Sequence, residues 1–330
     1  MAETKKKIDY SVLENELTSK DLQVYKSNYK KVVNYARWQT LFICGVIFLI
    51  ATFAFIPVYS VISELGITAW APVYPLLALL LLGSIYRGFI KVIKYRAKLY
   101  TFALKNGIKY QEGAPYSDKE GVIFKSGHSK RITEHFEMSD GVELGNYEYT
   151  TGNGKNSKQH NWGYARIDLP RKLPHMLLDA KSNNFIASNL PISFSKDQRM
   201  SLEGDFDKHF TLYAPEKYKR DALYVFAPDV MAQLIDEGSA YDMEVIDDSL
   251  YLYSSKPFTF ADKATWHKLL GILNSIGGEL REGTDYYADE RVESRELNII
   301  HDSGKRLQKS SSVIAVIVVS VIFFVFFFGL

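Results

Sequence analysis

Apolar residues gather in three long uncharged runs, and the rest of the chain alternates at shorter periods. No residue from Thr40 to Ile62 is charged, and Leu41, Phe42, Ile43, Val46, Ile47, Phe48, Leu49 and Ile50 lead that run. A second run, about Ala69–Tyr86, holds Leu76, Leu77, Leu79, Leu80, Leu81 and Leu82 and extends through Phe89 and Ile90. A third, Ser312–Leu330, is rich in phenylalanine. A helix of about 20 apolar residues crosses a hydrocarbon core roughly 30 Å thick, so the pattern predicts three transmembrane helices. The first is not read as a cleavable signal peptide, because 39 mostly polar residues precede it and not a short basic stretch.

Helical spacing flanks the first two runs. Leu22, Tyr25, Tyr29, Val32, Val33 and Ala36 predict an amphipathic helix over 20–38, capped by Ser19 and continuous with the first span. After the second span, Val92, Ile93, Leu99, Tyr100, Ala103 and Leu104 keep the same period to Asn106-Gly107, a helix stop because both residues tolerate positive φ. The two apolar faces are expected to pack as a stalk.

From Gly121 the period shortens to two. Val122–Phe124, Arg131–Met138, Val142–Thr151 and Trp162–Leu169 read as strands, as do His209–Tyr213 and Ala222–Phe226. Met243–Ile246 and Leu250–Tyr253 read as a hairpin about Asp247-Asp248-Ser249. Pro228 opens a short helix. An amphipathic helix follows Asp262, with Trp266, Leu269, Leu270, Leu273 and Ile276 inward and an end at Gly277-Gly278. The expected fold class is α+β, a mostly antiparallel sheet with flanking helices, tethered by three transmembrane helices. The expected division is an N-terminal segment 1–39, two spans within 40–90, a helical stalk 91–107, the α+β domain 108–284, a polar tether 285–311 and a last span 312–330.

Charge orients this arrangement. Lys20, Lys26, Lys30, Lys31 and Arg37 precede the first span, and Arg87, Lys91, Lys94, Arg96, Lys98 and Lys105 follow the second. Lys305, Arg306 and Lys309 precede the third, whereas the connector 63–68 carries only Glu64. The positive-inside bias then places the N-terminus and main domain in the cytoplasm of a multi-pass inner (cell) membrane protein. Residues 1–93 hold 10 basic against 6 acidic residues, which suits anionic lipid headgroups, while 94–330 hold 30 against 32. The net charge of +2 gives no reason to expect nucleic-acid binding, and the single cysteine, Cys44, excludes an intramolecular disulfide.

Three stretches carry a family resemblance: Leu202-Glu203-Gly204-Asp205-Phe206-Asp207-Lys208-His209-Phe210-Thr211-Leu212-Tyr213, then Ala222–Met231, then Asp248–Tyr253. With Leu173–Asp179 and the paired N-terminal spans, they resemble an uncharacterised bacterial membrane-protein family carrying a domain of unknown function, over about residues 110–280. The resemblance implies a single membrane-tethered module and brings no activity, cofactor or catalytic residue.

Chemistry-bearing patterns are sparse. Glu203-x-Asp205-x-Asp207-x-His209, if extended, would put four ligand types on one face and offer a divalent cation oxygen and imidazole. The alternative is a solvated turn before the strand, which Gly204 favours. His175 and Asp179 would pair only on a helix, and Pro174 with Met176-Leu177-Leu178 favours a strand. Gly152-Asn153-Gly154-Lys155 lacks the spacer and the Ser/Thr of a phosphate loop. Neither His-Glu-x-x-His nor Gly-x-Ser-x-Gly occurs, and no ionisable side chain lies inside the spans, which argues against an ion pathway.

The function expected is a membrane-anchored binding or scaffold module with no catalytic residues and no cofactor. Its partners would be membrane lipid and a protein, with aromatic area from Tyr147, Tyr149, Trp162, Tyr164, Tyr213 and Tyr251. The alternative is a membrane-tethered metal-dependent hydrolase using Glu203–His209.

Overall fold

A computed structural model describes residues 8–66, 73–113, 119–184, 188–202, 204–293 and 296–310. The third apolar run lies outside these residues, as does Glu203. The chain divides into two compact units, one containing residues up to Gly107 with 261–263 and the other containing 108–260 with 264 onward.

The first unit is helical: α1 (Ser11–Glu14), α2 (Ser19–Asn28), α3 (Lys30–Glu64) and α4 (Val73–Asn106). Thr18, one residue before the expected cap, starts α2 through a reciprocal capping box with Asp21. Tyr29 interrupts the expected continuous helix, so α3 begins at Lys30. At about 1.5 Å per residue, the 35 residues of α3 reach roughly 50 Å, longer than a bilayer core. Both α3 and α4 are long and apolar enough to cross a membrane, and almost none of their most apolar stretches is buried by protein. Phe42, Phe53 and Leu80 are all exposed. Nearer their polar ends the helices do bury a core, in which Tyr25 and Val33 meet Ile93 and Ala97 while Leu22, Phe89 and Tyr100 close around them. The Tyr25 ring lies 5.1 Å from Tyr29 and 5.9 Å from Tyr100. Gly107, at φ +70, ends α4 at the predicted stop.

The second unit is α+β, with a seven-stranded antiparallel sheet and flanking helices. Its strands are β1 (Lys109–Glu112), β2 (His128–Glu137), β3 (Val142–Thr151), β4 (Lys158–Ala180), β5 (Arg199–Met200), β6 (Phe210–Tyr213) and β7 (Asp242–Ser254). Their order is β1-β2-β3-β4-β6-β5, and β7 also pairs with β4. The helices are α5 (Phe206–His209), α6 (Lys219–Val225), α7 (Pro228–Gln233), α8 (Lys263–Thr284) and α9 (Asp302–Lys305).

Strand β4 is the spine. Its first half pairs with β3, its last four residues pair with β6, and β7 runs along it from Gly163 to Leu178. The register with β7 shifts between Asp168 and Leu173 and again before Met176. Pro170 and Pro174, which cannot donate to a ladder, sit in that break. Opposite it, Asp247 adopts φ +53, so the expected hairpin is one bent strand with a bulge.

Several other predicted elements differ. Val122–Lys125 is a buried 3-10 turn, with the Phe124 ring 4.7 Å from Tyr147 and 5.2 Å from Tyr164. Ala222–Phe226 belongs to α6, because only Ala222 and Val225, three apart, are buried on this segment's inner face before its C-cap, while Leu223 and Tyr224 face water. Helix α8 continues past Gly277, where a Cβ would lie 2.1 Å from Ile167; the glycine is a close-packing contact and not a stop. On that helix Ile272 is buried and Leu270 is only half-buried. The segment expected as a polar tether, 285–311, is built into the domain as far as it is described, through Ser310: Tyr287, Asp289, Ile300 and Leu307 are buried, and Phe194 bridges to Lys309.

Candidate functional site

The predicted ligand set does not assemble. Asp205–His209 forms the cap and single turn of α5, so the period-two face required for Asp205, Asp207 and His209 is absent. Asp205 is exposed and bound to Lys208 at 2.6 Å, and that hydrogen bond holds its carboxyl below the usual range. Asp207 accepts the Leu202 amide at 3.1 Å and the Ser201 hydroxyl. These carboxylates do local structural work. No group of three or more His, Cys, Asp or Glu side chains among the described residues is placed to hold a metal ion. Gly152–Lys155 falls in the hairpin connection between β3 and β4.

His175 lies on β4 and faces β7, not Asp179. Its Nδ1 accepts the Leu307 backbone N–H at 3.0 Å, which fixes the ring proton on Nε2 in the neutral form. Nε2 then donates to Glu244 Oε1 at 2.7 Å. Glu244 Oε2 accepts the Val122 amide at 2.7 Å and the Tyr253 hydroxyl at 2.5 Å. Burial and the Glu244 charge together push the Tyr253 hydroxyl well above its usual range. Glu244 is 1% exposed and His175 5%, so no substrate reaches them. The arrangement joins a base to an orienting carboxylate but has no nucleophile and no open face. It clamps the 3-10 turn and the C-terminal segment onto the sheet. Gln198 extends the clamp, accepting the Gln308 amide and donating to its carbonyl, both at 2.8 Å.

An open cleft of about 610 Å³ lies between α6 and the 285–291 segment. Its floor is pinned: Arg171 donates to the Tyr287 carbonyl at 3.0 Å and Tyr287 donates to Asp221 at 2.7 Å. Arg291 pairs with Asp221 at 2.9 Å and stacks 3.9 Å from the Tyr218 ring. Burial alone would raise the Asp289 carboxyl, but hydrogen bonds from Tyr218, the His301 and Arg291 amides and the Arg291 side chain hold it below the usual range. The rim is free to touch a partner, since Tyr224 is 51% and Tyr286 89% exposed and Arg220 is exposed too. By contrast, Tyr147, Tyr149, Trp162, Tyr164 and Tyr251 are core residues and Tyr213 is half-buried, so they do not supply the recognition area expected of them. The clue to the real rim was Asp285-Tyr286-Tyr287-Ala288-Asp289-Glu290-Arg291, an aromatic and charged run inside the presumed tether.

No family model matches the chain, and no curated protein matches it. Among solved structures, the crystal structure of the mycobacterial trehalose monomycolate transport factor A, TtfA, aligns with 56% of this chain and 92% of that chain, at 11% identity and a TM-score of 0.38.

Proposed function

We propose that this chain is a membrane-anchored binding module, a multi-pass protein of a bacterial inner membrane whose N-terminus and α+β domain face the cytoplasm. The observation that carries the reading is the apolar surface of α3 and α4, which protein leaves almost wholly uncovered. Exposed apolar area on that scale marks a surface made for a lipid or protein environment. The basic residues 20–37 and 87–105 flank the two apolar runs, and positive charge at those positions favours the cytoplasmic leaflet. The run 312–330 supplies a third span, and the family resemblance over residues 110–280 agrees with one tethered module. The domain's protein partner docks on the cleft rim, where Tyr224, Tyr286 and Arg220 offer the residue types that anchor interfaces.

Reporter fusions test the topology. A fusion after Asn106 should be active as a cytoplasmic reporter, and one inserted at Glu64 as an external one. The reverse pattern would place the domain outside and end the cytoplasmic reading.

A further inference from the structure

The residues just before the third apolar run are fixed to the sheet domain. Arg306 pairs with Asp247 and with Glu120, each at 3.0 Å, and the Leu307 amide donates to His175 at 3.0 Å. The Gln308 carbonyl accepts the Ser195 amide at 3.0 Å, and the Ser310 amide donates to the Ser193 carbonyl at 2.8 Å. Between them Lys309 bridges to Phe194, and the Phe194 and Leu307 side chains are buried in the domain core. A short antiparallel ladder, 193–195 against 308–310, thus holds the chain to within two residues of Ser312, where the apolar run begins.

That spacing sets a height. Two extended residues span at most about 7 Å. The headgroup layer on each side of a hydrocarbon core roughly 30 Å thick is about 5–7 Å deep. With 312–330 across the bilayer, the 193–195 edge of the domain stands no further from the hydrocarbon than the headgroups themselves. No free linker remains on which the domain could swing away.

The charge at this edge suits that place. Lys309 lies on the ladder, and Lys196 and Arg199 follow Ser195 directly; all three are exposed. Nearby acids are already engaged: Asp247 and Glu120 by Arg306, Asp302 by Lys305 at 2.7 Å, and Asp197 by the Ser195 hydroxyl. Among the described residues, none of Lys196, Arg199 and Lys309 has an acidic partner. Uncompensated cations are drawn to anionic lipid within a Debye length, about 8 Å at physiological salt, which is the height that the ladder imposes.

We propose that the domain face formed by 193–199 and 305–309 rests on the membrane, with Lys196, Arg199 and Lys309 binding anionic phospholipid headgroups. The inference rests on 312–330 being a span, as proposed above, and adds which face of the domain meets the bilayer and which lipid chemistry it selects.

The test is fluorescence quenching of the full-length chain in vesicles of phosphatidylcholine and phosphatidylglycerol. Cys44→Ser removes the native thiol and Ser193→Cys carries the fluorophore, while one lipid or the other bears a spin label near its headgroup. The Ser193 label should be quenched about fivefold more strongly by spin-labelled phosphatidylglycerol than by spin-labelled phosphatidylcholine. High salt should abolish that preference, as should Lys196→Gln, Arg199→Gln and Lys309→Gln combined, with circular dichroism reporting that the variant is folded. A fluorophore on Ser320→Cys reads the span separately and should report hydrocarbon. If it does while neither lipid quenches the Ser193 label, or both quench it equally, the proposed face is wrong and the span stands. A preference that survives the three substitutions in a folded protein would also overturn the proposal. A Ser320 label in water would remove the third span and this inference with it.

Discussion

The helical unit and the α+β domain put the same kinds of side chain to opposite uses. On α3 and α4, Phe42, Phe53, Ile50 and Leu80 face outward; in the domain, Phe124, Phe136 and Trp266 are sealed from solvent and Tyr286 stands out. A protein in water hides most of its large apolar side chains, so the two surfaces suit different solvents. Where basic residues return, around Tyr25, Val33, Ile93 and Ala97, the helical unit builds a core of the ordinary kind. The change along α4 from exposed leucines to a buried seam marks where the uncovered apolar surface ends and protein packing begins.

A similar contrast recurs inside the domain, between Glu244, held by His175, Val122 and Tyr253 at 2.5–2.7 Å, and Asp242, which takes the Ala180 amide at 2.8 Å with the Asn183 and Asn189 side chains and is nonetheless raised by burial. The first predicted break is the largest. Glu244→Ala strands the His175, Val122 and Tyr253 donors in the interior, and truncating one side of a buried charged network costs about 3–5 kcal/mol. Urea unfolding followed by circular dichroism should show that loss, while membrane retention persists because α3 and α4 are untouched. Loss of membrane retention together with folding would mean that the two surfaces are not separate.

Next comes the core under α8. Leu269 is buried and Leu270 half-buried, so Leu269→Ala should cost about 2–5 kcal/mol and Leu270→Ala clearly less. Equal midpoints for the two variants would show that this helix face is misassigned.

The last of these comparisons concerns the Asp242 carboxylate. Asp242 is pushed up to about 7 in the folded chain from 3.8, mainly by burial. Its contribution to stability is therefore complete below about pH 4 and is lost as pH rises through about 7. Wild type should lose stability across that window relative to Asp242→Asn, at roughly 1.4 kcal/mol per pH unit. Parallel pH profiles would show that burial does not hold this carboxyl above its usual range.

Much of this organisation is legible in the sequence where one physical signal dominates. Uncharged runs of 20 residues and the Asn106-Gly107 stop need no tertiary information, and α3, α4 and Gly107 lie where the pattern puts them. Short apolar stretches are ambiguous because burial decides them: Ala222–Val225 is β-like in composition and becomes helical by burying every third residue. Asp247 resembles a turn residue, but its left-handed conformation can equally bend a strand, and the register with β4 chose the bend. The 285–310 segment reads as a polar tether because its buried residues, Tyr287, Asp289, Ile300 and Leu307, are few and widely spaced, and Asp289 and Leu307 take partners more than 60 residues away. The acidic alternation at 203–209 was visible but rested on an extended backbone that α5 does not have.

The membrane anchor is the central claim, and alkaline carbonate extraction followed by flotation tests it most directly. Wild-type protein should remain with the floated vesicles after extraction. Ile50→Arg combined with Leu80→Arg in a chain ended at Ser310, so that the proposed third span does not hold it, should shift the chain towards the soluble fraction with its domain still folded, each arginine costing about 2.5–3.5 kcal/mol at a helix centre. Wild-type protein released by carbonate, or a double variant retained as firmly as wild type, would contradict the anchor and assign the apolar faces of α3 and α4 to contact with another protein.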